Sequence, residues 1–169
     1  MKIGIIQGRL SEPNEGFQEC PTNWQREFGI LSSIELNHIE WIITEKNYWN
    51  NPIFGSVNIN KDLVSSICAD FLVGPIFHDS SKFHAYMNPI CDAANQKGIK
   101  NITIPLLEDS SVMDSKIRNM FVENLLPYLE RYESLNFSIE AELGYDELMS
   151  FVSLSDKLFV TYDTGNMTS

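Results

Sequence analysis

Apolar, β-branched runs and helix-like segments alternate along this chain about every 30 residues, and that recurrence constrains the fold more than any other feature. The runs are Lys2–Gln7, His38–Ile43, a third within Leu63–Val73, Asn101–Leu106, Asn136–Ala141 and Leu158–Tyr162. Between them apolar residues return at helical spacing, as in Trp24, Phe28, Leu31 and Ile34, or Phe83, Tyr86, Ile90 and Ala94. A third face carries Ile117, Phe121, Leu125, Tyr128 and Tyr132, and Tyr145–Ser153 reads as a short fourth helix. Thr22-Asn-Trp-Gln25 has capping-box spacing. Ser80 or Ser81 is expected to open the second helix, with Gly98 closing it, and Ser110 or Ser111 to cap the third. Pro127 predicts a kink or a split there. Residues 44–62 mix Asn, Trp, Tyr, Pro and Gly without a period and read mostly as loop.

Crossovers this short demand parallel strands. Two arrangements fit, a doubly wound sheet and a (β/α)₈ barrel. A complete barrel takes about 250 residues, whereas this chain of 169 reaches six units. The expected fold is therefore α/β, an incomplete TIM barrel of about six βα units. It forms one domain over residues 1–169 that lacks the last two strands.

The polar residues favour the barrel over the open sheet. Each run ends in polar or charged groups: Gln7 and Arg9, Glu40, Asp70, Glu108 and Asp109, Glu140 and Glu142, and Asp163. In parallel α/β folds the chemistry gathers at those ends, and a curled sheet would turn them toward one mouth. No G-x-G-x-x-G follows the first strand, and neither a P-loop nor a G-x-S-x-G occurs. Nucleotide-binding and α/β-hydrolase readings lose their main support.

With 12 Lys and Arg against 23 Asp and Glu, the net charge is −11. Such a surface repels phosphate backbones, so no nucleic-acid partner is expected. No run approaches the roughly 18–20 apolar residues of a membrane span, and Gln7 and Arg9 end the N-terminal run too early for a secretory signal. Cys20, Cys68 and Cys91 lack metal or disulfide spacing and read as reduced thiols. A cytoplasmic protein without membrane partners is expected.

Gln7-Gly-Arg9, Ile39-Glu40-Trp41-Ile42, Ser65 to Asp70, Ser138-Ile-Glu140 and Tyr162-Asp-Thr-Gly-Asn166 stand in order at successive strand ends. Together they resemble the xylose-isomerase-like TIM barrels, and most closely the sugar-phosphate isomerase/epimerase branch that often carries the endonuclease IV family name. The resemblance covers the whole chain. It implies a divalent metal (Mn, Mg, Co or Zn) at the barrel mouth, with Glu140 and Asp163 in the first two of four ligand positions. Glu140 would also be catalytic, moving a proton beside the carbonyl of a sugar or sugar phosphate. Gln7, Arg9, Glu40, Asp70 and Asn166 would bind substrate. The His and second Glu of the family's metal set fall beyond Ser169, and Asn166 stands where many epimerases carry His. Endonuclease IV relatives carry histidines where this chain has Glu40 and Asp70, which separates it from DNA repair.

The same residues have structural readings. Glu140 could sit in a salt bridge, Asp163-Thr-Gly is also a turn sequence, and Arg9 could pair with neighbouring acids. His38, His78 and His84 share no metal spacing and read as structural. A second functional reading is a non-catalytic barrel half whose open edges are completed by a partner chain or by self-association into a homo-oligomer.

Overall fold

The structure is a computed structural model that describes residues 2–11 and 19–164. Six strands form one all-parallel sheet: β1 (Gly4–Ile6), β2 (His38–Ile42), β3 (Val64–Cys68), β4 (Asn101–Leu106), β5 (Asn136–Ala141) and β6 (Leu158–Val160). Helices α1 (Trp24–Ser33), α2 (Ser80–Lys97), α3 (Ser115–Arg131) and α4 (Tyr145–Val152) fill four of the crossovers. The spatial order β1-β2-β3-β4-β5-β6 follows the chain. A doubly wound sheet reverses direction at a switch point. Here there is none.

Alternation along the strands sorts the two faces. Ile39, Trp41, Ile67, Ile102, Ile104, Phe137 and Ile139 are completely buried on the face that receives the helices. Glu40, Ser66, Thr103 and Ser138 occupy intervening positions, Glu40 opposite Ser66 and Thr103 opposite Cys68 and Ser138 in the ladders. One face is thus an apolar floor for helices, and the other is lined by carboxylates and hydroxyls. The helix layer closes on aromatic edges, with Phe77 and Phe83 packed against Phe121 at centroid distances of 5.3 and 6.0 Å. Each such side chain taken from water contributes about 1.5–3 kcal/mol.

The segment after β2 forms no α-helix, in keeping with its missing period. It folds into 3₁₀ turns at Tyr48–Asn50, Pro52–Phe54 and Lys61–Leu63. Tyr48 is fully buried and donates its hydroxyl to the Tyr86 carbonyl. Below it, Asn51 Oδ1 accepts from Trp41 Nε1 at 2.9 Å and from the Ile53 amide at 3.1 Å, while Asn51 Nδ2 donates to the Ile42 carbonyl at 3.0 Å. Two side chains do the positioning that a crossover helix does elsewhere.

Helix caps differ from the sequence reading. α1 has Asn23 as its N-cap, without a side-chain cap bond. Ser80 opens α2 as expected, but the N-caps of α2 and α3 are Asp79 and Asp114, which accept from the amides of Lys82 at 3.1 Å and Lys116 at 2.7 Å. An aspartate offers the same acceptor as serine and adds a charge favoured by the helix dipole. Ser110 instead bonds the Leu107 carbonyl at 2.8 Å. Gly98 does close α2, in the left-handed region at φ 72°. α3 continues through Pro127, which lies on the solvent side where water can take the carbonyl that proline leaves unpaired. Ile34 falls just past α1 and is 45% exposed, outside the apolar stripe. Among the described residues no helix is long and apolar enough to cross a membrane.

Candidate functional site

Five strands and the segment after β6 contribute to the walls of one open cleft of about 690 Å³ at the C-terminal ends of the strands, so the sheet curves around it. Ile6 comes from β1, Glu40 and Ile42 from β2, Cys68 from β3, Thr103 and Pro105 from β4, and Glu140 from β5. Thr161 to Thr164 follow β6. Glu40, Asp70, Glu108, Glu140 and Asp163 line it together, and no Lys, Arg or His is among its described lining residues. Five of the expected strand-end carboxylates thus meet in one place, whereas Asp109 and Glu142 do not line the cleft.

The β2–β3 register shifts between Ile39 and Glu40, setting Glu40 opposite Ser66. Its Oε1 accepts from Ser66 Oγ at 2.8 Å and from Thr103 Oγ1 at 2.6 Å. Hydroxyls from two neighbouring strands hold the carboxylate in one orientation. Farther along, Ser138 Oγ and Thr161 Oγ1 lie 2.6 Å apart and extend the polar row to the last strand.

Asp70 opens the 3₁₀ turn Asp70–Val73 directly after β3. Burial, and then the negative charges of Glu19 and Glu108, push its carboxyl up to about 6. Glu108 itself has φ +50°, a left-handed conformation that costs a non-glycine residue about 1–2 kcal/mol. The Cys68 thiol is driven well above its ordinary value by burial and then by Glu40, Asp70 and Glu140. It stays protonated and is not a nucleophile.

The Asp70 shift fixes the sign of a pH effect. Folded Asp70 keeps its proton up to about pH 6, whereas an unfolded aspartate loses it near 3.8. The stability linked to this proton is complete below the unfolded value and is lost as pH rises through the folded one. Asp70→Asn is therefore expected to melt higher than the wild type at pH 7.5 and to lose that advantage by pH 4. Thermal melts at the two pH values check this, and equal melting temperatures at pH 7.5 would refute it.

The remaining sequence candidates are placed differently. Gln7 is 1% exposed and does not face the cleft. Its backbone N–H donates to the Glu40 carbonyl at 2.9 Å and its side-chain Oε1 accepts from the Ile42 amide at 3.2 Å, so it extends the β1–β2 pairing behind Glu40. Arg9 lies half-buried in the turn after β1 and is not among the lining residues. Asn166 lies outside the described residues. His38 packs over Gly4, where a Cβ would stand 2.2 Å from its ring, and His84 Nδ1 meets the Tyr128 hydroxyl at 2.9 Å.

Glu140 and Asp163 share the cleft and a small apolar crevice beside it that Leu148 and Val160 also line. Among the described residues no group of three His, Cys, Asp or Glu side chains could hold a metal ion. Glu140 and Asp163 by themselves are an incomplete donor set for a resident divalent cation.

Sequence reasoning placed Glu108 at the mouth without giving it a role, and did not select Ser66, Thr103, Ser138 or Thr161 as site residues. A signal was available. Ser66 and Cys68, Thr103 and Pro105, and Ser138 and Glu140 each break the apolar run at every second position, whereas a parallel strand covered on both faces reads as continuously apolar. In comparisons with known proteins, the chain matches no family model, no curated protein and no solved structure.

Proposed function

We propose that the curved sheet is six units of a (β/α)₈-type barrel, and that its cleft binds a neutral sugar and moves a proton beside the sugar's carbonyl. One observation carries the reading: five carboxylates converge on a cleft whose described lining holds no cation. Carboxylates accept hydrogen bonds from sugar hydroxyls. The same charges repel a phosphate, so of the two substrate classes implied by the resemblance the unphosphorylated sugar fits better.

The proton transfer rests on two acids. Asp70, at about 6, is partly protonated near neutral pH. Glu140 leaves the sheet two strands away, roughly 10 Å between strand axes, which leaves room for a sugar between them. In this proposal Glu140 takes the proton from the carbon next to the carbonyl, and Asp70 gives its proton to the carbonyl oxygen. The enediol so formed returns to a carbonyl compound when the transfers run backward on the neighbouring carbon or the opposite face, giving isomerisation or epimerisation. Glu40, held by Ser66 and Thr103, orients the hydroxyls. No step is routed through a metal.

The test is solvent exchange. A panel of aldoses and ketoses incubated in D₂O is expected to gain deuterium at the carbon beside the carbonyl. Glu140→Gln should lower the rate on the order of 100-fold or more, with the fold unchanged by circular dichroism. No exchange with any sugar, or exchange that survives Glu140→Gln, would sink the proposal.

A further inference from the structure

Glu108 lines the cleft with Asp70, yet the proton transfer above gives it no part. It heads the 3₁₀ turn Glu108–Ser110 just past β4. Its φ of +50° lies in the left-handed region, which glycine enters freely and glutamate does not. Among the described non-glycine residues Glu35 alone shares a positive φ, and it follows α1, where such a residue commonly ends a helix. No α-helix ends at Glu108.

The turn is clamped from behind. Ser110 is completely buried, and its N–H donates to the Leu107 carbonyl at 2.9 Å. Its hydroxyl donates to the same carbonyl at 2.8 Å and to that of Pro105 at 3.4 Å. The Ser111 N–H then closes the turn on the Glu108 carbonyl at 3.2 Å. A buried serine thus fixes a strained residue at an exposed rim, and such strain collects where a side chain must be held in one place. The place is beside Asp70. The turn that carries Glu108 packs directly against the turn that Asp70 opens, and the Ala69 N–H joins the two strand ends by donating to the Thr103 carbonyl at 2.9 Å.

We propose that Glu108 is the positioning residue of the acid step: the clamped turn holds its charge beside Asp70, and that charge keeps the proton on Asp70. Glu108 acts through Asp70 and needs no contact with the sugar. The other ionisable neighbours do not replace it. Glu19, from the loop after β1, also repels charge on Asp70, but Thr44 Oγ1 and Asn47 Nδ2 donate to its Oε2 at 2.7 and 2.6 Å and spread its charge. Glu40 is bound by Ser66 and Thr103, and Cys68 keeps its proton. Glu140 and Asp163 reach the cleft from β5 and from beyond β6. Of the elements packed on the Asp70 turn, β4 has no ionisable side chain, α2 brings Tyr86 stacked on Phe71, and the turn Pro75–His78 brings His78, edge-on to Phe77. Asp109 stands beside Glu108 but outside the cleft, and the segment after β2 adds the exposed Glu45 and Lys46. Burial remains the first cause of the raised Asp70 value, with Glu19 and Glu108 after it. The catalytic consequence rests on the sugar reading above, whereas the pairing of Glu108 with Asp70 does not.

A carbon-13 NMR titration of the Asp70 carboxyl group in the full chain, without sugar, tests the proposal. The wild-type midpoint is expected at about 6. Glu108→Gln should lower it by about half a pH unit, the effect of one neighbouring like charge at a wet rim. Glu108→Asp keeps the charge and should titrate closer to the wild type than to the glutamine variant. Glu108→Gly removes charge and strain together, so it should lower the midpoint equally while melting no lower than the wild type. A misfolded glutamine variant therefore cannot decide the matter. With a sugar that exchanges deuterium, kcat of Glu108→Gln at pH 7 should fall about threefold at unchanged KM, and the two enzymes should converge below pH 5. An Asp70 midpoint that neither Glu108→Gln nor Glu108→Gly moves would overturn the proposal, even where sugars exchange. A lowered midpoint in a chain that exchanges no sugar would uphold it and sink the sugar reading alone.

Discussion

Glu27→Ala is expected to lower the unfolding free energy by about 3 kcal/mol, because it orphans several donors at once. Glu27 is fully buried. Its carboxylate accepts from the Gly8 amide at 3.0 and 3.1 Å, the Leu10 amide at 3.1 Å and Ser11 Oγ at 2.8 Å. Those bonds hold the turn after β1, where Gly8 takes φ +86° and a Cβ would stand 2.6 Å from the Glu19 carbonyl oxygen. Truncation leaves buried N–H groups without acceptors, and each costs about 1–3 kcal/mol. Glu27→Gln keeps the size but sets an NH₂ group against amide donors, so its loss should fall between the two. Urea denaturation of the three proteins measures both values. A loss below about 1 kcal/mol for Glu27→Ala would mean that other contacts hold the turn.

Asn51→Ala is expected to cost about as much, through a different part of the molecule. The Asn51 amide, 4% exposed, joins the loop after β2 to the strand itself through Trp41, Ile42 and Ile53. Its removal strips partners from an indole N–H, a backbone amide and a carbonyl, all buried, for an expected loss of about 3 kcal/mol. Hydrogen exchange of the Trp41 indole proton gives a local readout. It should be protected in the wild type and exchange much faster in the variant, even where global unfolding is slow. Protection that survives the substitution would show that the Asn51 bond does not hold the loop.

These two residues also show where legibility stopped. Glu27 falls on the apolar stripe of α1, between Trp24 and Leu31, so a misplaced charge was visible in the sequence. What it was charged for was not, since Gly8, its main partner, lies 19 residues away. Asn51 sits in the segment that reads as loop, where no period marks any residue as inward. Gln7 drew attention as a strand-end polar group, yet its bond to Ile42 spans 35 residues and makes it a structural clasp. Glu40, Asp70, Glu140 and Asp163 do line one cleft, because the end of each strand is a local property and the parallel sheet sends all such ends one way.

The sequence by itself determined the succession of strands and helices, the all-parallel sheet and the edge along which its acids gather. Those follow from side-chain period and crossover length, which act within a few tens of residues. Only the tertiary structure decided which polar groups meet across the strands, because the register shift at Glu40 and the hydroxyl contacts of Ser66 and Thr103 arise between strands. It also separated the carboxylates that share the cleft from Gln7 and Arg9, which do not line it. Hydrogen-bond partners distant in sequence are chosen by packing, and packing is not written in any one segment.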